Sequence, residues 1–185
     1  MSRRRAASES RICDFRPCRV TAGGEHAADS RGKGSATKTK DVVGGPWSGP
    51  GGPRVLIENP DFGIGYSAER LLIKQGYNVA VCEGPDRRQR RRCPLVETGE
   101  CHLAAHADVI VHSLNLDRPE HAEVLRALRE CYPQARIVVE VPKPSVERHR
   151  ELLGDCSVLA LPATRESLTN AVRAAMTTVA RGRSD

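Results

Sequence analysis

Arg54-Val-Leu-Ile-Glu-Asn-Pro-Asp-Phe-Gly-Ile-Gly-Tyr-Ser-Ala-Glu-Arg-Leu-Leu-Ile-Lys-Gln-Gly-Tyr-Asn-Val-Ala-Val-Cys82 is the stretch that decides the fold. It opens on a short apolar run, Arg54-Val-Leu-Ile57, of strand length and composition. From about Ile64 to Gln75 the period changes to helical: Ile64, Ala68, Leu71 and Leu72 share one face, and Gly76 stops the run. A second apolar run, Asn78-Val-Ala-Val-Cys82, follows at once. Strand, amphipathic helix and strand in this order predict a parallel pair joined by a crossover helix.

The alternation continues to the end of the chain. After a charged loop, Asp86-Arg-Arg-Gln-Arg-Arg-Arg92, a short helix is expected near Leu103, then a third strand, Asp108-Val-Ile-Val-His112. Asp117-Arg-Pro119-Glu120 starts a helix carrying His121, Leu125, Leu128 and Tyr132 on one side, and Pro133 ends it. Arg136-Ile-Val-Val-Glu-Val141 is the fourth strand, after which Ser145 is expected to cap a short helix reaching Leu153. Ser157-Val-Leu-Ala-Leu161 is the fifth strand, and Thr164 caps a last helix with Leu168, Ala171, Val172, Ala175, Met176 and Val179 in one stripe. Five such units predict an α/β, flavodoxin-like, doubly wound parallel sheet in the order 2-1-3-4-5, with helices on both faces. A ligand site in such a sheet lies beyond the carboxyl ends of strands one and three, near Glu58–Asp61 and His112–Leu116.

Outward from this domain, residues 1–53 read differently. They are rich in Gly, Ser, Arg and Pro and end in Gly44-Gly-Pro-Trp-Ser-Gly-Pro-Gly-Gly-Pro53, with no helical or strand period. Such a segment lacks the apolar surface to offset its ordering entropy, so a disordered basic tail is expected. The expected division is therefore a tail over 1–53, one domain over 54–181 and a short end over 182–185. The net charge of +6 falls mostly on the tail, which holds 10 Lys and Arg against 5 Asp and Glu, so the domain is nearly neutral. A nucleic-acid partner for the folded part is not expected on that balance. No apolar run approaches the roughly 20 residues of a membrane span, and Met1-Ser-Arg-Arg-Arg leads into no signal-like stretch, so a cytoplasmic protein is expected.

The loops and strand ends of residues 54–181 resemble the receiver domain of two-component response regulators. The resemblance rests on Arg54-Val-Leu-Ile-Glu-Asn, Ala107-Asp-Val-Ile-Val-His-Ser-Leu-Asn-Leu116, Arg136-Ile-Val-Val and Val158-Leu-Ala-Leu-Pro162. A receiver holds magnesium with an acidic pair after its first strand and accepts a phosphoryl group on an aspartate after its third. It adds a hydroxyl residue after the fourth strand and a lysine before the proline after the fifth. The resemblance puts these functions on Glu58 with Asn59, on Ser113, near Glu140 or Val141, and on Leu161, with Asp61 as a remaining acid that would help hold a cation or cap the first helix. It implies a degenerate receiver that is no enzyme, takes no cofactor and acts through a protein partner or a second copy. Receivers use the surface of their fourth and fifth units for such contacts, here around Pro142–Leu153 and Thr164–Val179.

A second resemblance is to the nucleotide-binding half of short-chain dehydrogenases. Phe62-Gly63-Ile-Gly65 would be the glycine turn at a helix N-terminus, and Glu83 would meet a ribose hydroxyl. It implies NAD, or NADP if Arg87 or Arg88 meets a 2′-phosphate. Asn59 in place of the first glycine, Pro60 in the turn and the lack of a Tyr-x-x-x-Lys pair depart from that family.

Seven cysteines complete the inventory. Cys82, Cys93 and Cys101 with His102 have the chemistry of a zinc set, but ten and seven intervening residues separate the thiols, and no metal is expected. Cys93 and Cys101 form a candidate redox pair, because Arg90, Arg91 and Arg92 would lower the Cys93 pKa. Cys131 and Cys156 read as packing residues, and His112 as a core histidine.

Overall fold

The computed structural model describes residues 46–177. The expected tail lies outside them except for its last eight residues, and so do Val179 and the C-terminal end.

Five strands form one parallel sheet: β1 Arg54–Glu58, β2 Asn78–Cys82, β3 Val109–His112, β4 Arg136–Pro142 and β5 Ser157–Leu161, in the order β2-β1-β3-β4-β5. This is the flavodoxin-like order expected from the five repeats. β3 is buried along its whole length because it runs mid-sheet with helices on both faces. Side-chain parity divides the core into two layers. On one face Val55, Ile57, Val79 and Val111 meet α1 (Phe62–Lys74) and α7 (Arg165–Thr177) through Leu72, Leu168 and Val172. On the other, Leu56, Ala80, Ile110 and Val139 meet the remaining helices. These are α2 (Pro94–Thr98), α3 (His102–Ala105), α4 (Pro119–Cys131), α5 (Lys143–Arg148) and α6 (Arg150–Leu153). Among the described residues no helix is long and apolar enough to cross a membrane.

Local chemistry explains where the elements start. α1 begins at Phe62, earlier than its apolar stripe, because the Asp61 carboxylate accepts from the Ile64 N–H at 2.9 Å. Thr164 caps the start of α7: its Oγ1 accepts from the Ser167 N–H, and the Ser167 hydroxyl accepts from the Thr164 N–H. Ser145 does not cap its helix. α5 starts at Lys143, directly after Pro142, with Pro144 in its first turn, and Ser145 is buried inside it. The arginine loop is also built rather than open. Asp86 and Arg91 pair through both backbone N–H groups, and the side chains of Arg91 and Arg92 reach Glu83 and Glu97. α2, too short for a periodic signal, follows directly.

Residues 46–53 belong to the fold. Ser48 exchanges two backbone hydrogen bonds with Val79 at 2.8 and 2.7 Å, covering the outer edge of β2. Trp47 packs against the larger core cluster, with the Arg54 guanidinium over its ring.

Candidate functional site

β1, β3, β4 and β5 end at the same edge of the sheet, beside α1 and α7. Between them lies a cavity of about 620 Å³. Its walls are apolar: Ile57 and Val111 from the strands, Ala68 and Leu71 from α1, Leu168 from α7. Leu161 and Pro162, joined by a cis peptide bond, close one side. Polar groups gather at the strand ends, where Asn59, Ser113 and Glu140 line the cavity. The Ser113 hydroxyl donates to the Glu140 carboxylate at 2.5 Å. Arg165 stands at the rim.

The residues singled out from sequence divide here. Asn59 and Ser113 do meet at the cavity, together with Glu140 and Leu161. Glu58 does not. Its parity points it to the opposite face, where it is 5% exposed and accepts from the fully buried His112 at 2.5 Å between Oε2 and Nδ1. Val141 also faces away, inside the larger core cluster. Asp61 lies outside the cavity as the cap of α1, and the Asn59 side-chain carbonyl accepts from the Asp61 N–H at 2.8 Å. Sequence reasoning missed the Glu58–His112 pair and the Ser113–Glu140 contact. Parity could have found both, because His112 is the register partner of Glu58, and Ser113 and Glu140 leave adjacent strands on one side.

The three residues of the dinucleotide reading have other surroundings in the structure. Gly63 and Gly65 lie within α1 itself, not in a turn ahead of it. Gly65 serves helix–strand packing, since a Cβ there would stand 3.0 Å from Val81 Cγ1. The helix N-terminus that would receive a pyrophosphate is already capped by the Asp61 carboxylate, which repels a second anion. Glu83 is engaged by Arg91 rather than offered to a ribose.

The thiols lie in apolar surroundings. Cys82, Cys93 and Cys101 are free, half-buried and packed against the same core cluster. Burial pushes the Cys93 thiol up despite backbone N–H donors at Val96 and Leu95, and it pushes Cys82 up to about 11. Arg91 and Arg92 pair instead with Glu83 and Glu97. Among the described residues no three His, Cys, Asp or Glu side chains gather to hold a metal, so Cys82, Cys93, Cys101 and His102 do not make the zinc set. His102 instead lies against His106, with ring centroids 4.4 Å apart.

No protein-family model and no curated protein matches the chain. Solved structures do. A response regulator receiver domain protein from Clostridium thermocellum is similar at 15% identity and a TM-score of 0.52, over 67% of this chain and 94% of that one. A response regulator receiver protein from Sinorhizobium medicae is similar at 19% identity and a TM-score of 0.52, over 69% of this chain and 97% of that one. A response regulator from Thermotoga maritima follows at 16% identity and a TM-score of 0.51, over 69% and 99%. The chain has the receiver fold.

Proposed function

We propose that this chain is a receiver-like signalling module that acts by protein–protein contact and has no aspartyl phosphotransfer. The observation that carries the reading is the chemistry of the strand-end cavity. Ser113 stands where a receiver has its acceptor carboxylate, and it donates its proton to Glu140. A serine cannot form an acyl phosphate. Leu161 occupies the place of the lysine, so no ammonium faces an incoming phosphoryl group from that strand.

The magnesium ion of a receiver does not fit these residues. Such an ion needs several oxygen ligands with at least one or two carboxylates in near-octahedral array. Here Glu58 is turned away to His112, Asn59 replaces its neighbour, and Asp61 is committed to α1. Among the described residues Glu140 is the single carboxylate lining the cavity. An anionic phosphodonor approaching it meets repulsion, with Arg165 at the rim as the one cation lining the cavity among the described residues.

The test is intact-mass spectrometry of the chain after incubation with magnesium and acetyl phosphate. The expected spectrum shows no phosphoryl adduct. A hydroxylamine-labile adduct would overturn the reading. A thermal melt with NADH and NADPH on the same sample is expected to show no shift, whereas ligand at about 100 times its dissociation constant would add roughly 2.7 kcal/mol.

A further inference from the structure

We propose that the cavity between α1 and α7 binds a small organic monocation: an ammonium group carried on an apolar body. The inference goes beyond the signalling reading and rests on the cavity alone. Its polar end holds one carboxylate, Glu140, beside the Ser113 hydroxyl and the Asn59 amide, whose carbonyl is already taken by the Asp61 N–H. Among the described residues no Lys, Arg or His pairs with Glu140, whose one hydrogen-bond partner is the Ser113 hydroxyl. A carboxylate offers about four lone-pair sites and here uses one. Because Ser113 spends its proton on Glu140, its own oxygen is left to accept as well. Two adjacent acceptors, one of them charged, call for a ligand with at least two N–H groups and a positive charge.

The rest of the chamber sets the body of that ligand. Ile57, Val111, Ala68, Leu71 and Leu168 offer carbon surface, and a volume of about 620 Å³ lies within the range of small-molecule sites. An aliphatic chain or one to two rings would fill it. Arg165, exposed at the rim and without an ion pair among the described residues, repels a second positive charge. Monoamines are therefore preferred to diamines.

Calorimetric titration of the full chain with phenethylamine, phenethyl alcohol and hydrocinnamate tests this. Phenethylamine is expected to bind roughly tenfold more tightly than the alcohol, as one desolvated charge pair would give, with the carboxylate weakest. In Glu140→Gln the amine and the alcohol should bind alike. Ala68→Trp fills the chamber and should abolish binding of all three while the chain stays folded. The wild-type ranking decides the matter even if a variant fails to fold. Equal binding of amine and carboxylate, an amine affinity unchanged in folded Glu140→Gln, or no amine binding at millimolar concentration overturns the proposal. So does a self-associated chain, seen by light scattering, whose second copy fills the cavity and excludes the amine.

Discussion

Glu58 and His112 are neighbours in register on β1 and β3, and burial makes each depend on the other. Among the described residues the Nδ1–Oε2 contact of 2.5 Å is the only hydrogen bond of the imidazole, and Nε2 is buried without a partner. Removing either side chain leaves a buried polar group unsatisfied, whereas replacing both by apolar groups removes the demand altogether. Glu58→Leu and His112→Leu should each destabilise the domain by about 3–5 kcal/mol in denaturant titrations. The double variant should lose less than their sum by at least about 1 kcal/mol. Additive losses would mean that the two residues act separately. The same pair shows what the sequence could not display by residue type. Glu58 reads as a site acid, and only its parity in the strand shows that it faces the layer opposite the cavity.

At the scale of elements, the strands and long helices were legible because their apolar periods are pure. α4 and α7 carry the expected buried stripes, whereas in the α1 stripe only Leu72 is buried, Ala68 and Leu71 are partly covered and Ile64 is 58% exposed. Short elements were not legible. α2 spans only Pro94–Thr98 and has a single buried residue, Leu95, so no period can show. The turn after β2 was equally opaque, although one glycine there is decisive. Gly84 has φ +71, and a Cβ on it would stand 2.8 Å from the buried Leu114 side chain. Gly76, at φ +91, ends α1 in open space. Alanine at Gly76 pays only the backbone cost, about 1–2 kcal/mol. Alanine at Gly84 adds displacement of a packed leucine, typically another 1–3 kcal/mol. Melting of the two variants side by side should therefore place Gly84→Ala clearly below Gly76→Ala. The reverse order would show that Leu114 yields without cost.

Over the whole molecule, topology follows from a repeat that any window of the sequence displays, and the site does not. The cavity is assembled from the ends of four strands, and its central contact joins Ser113 to Glu140 across 27 positions. Local sequence marks Ser113 and Glu140 only as separate strand-end positions, not as partners. The domain edge was hidden for a related reason: residues 46–53 look like linker because their contribution is made by backbone and by one ring. The two hydrogen bonds of Ser48 close the β2 edge, and Trp47 lies on the core as the single tryptophan of the chain. Trp47 thus reports on this strap, while far-ultraviolet circular dichroism reports on the helices. If the strap is part of the cooperative unit, urea unfolding followed by the two signals should give coincident transitions. A chain beginning at Arg54 should then unfold at lower denaturant, by about 2–4 kcal/mol for the lost ring burial and edge pairing. A fluorescence transition preceding the dichroism would instead show that the strap frays while the sheet persists, and the domain boundary would return to Arg54.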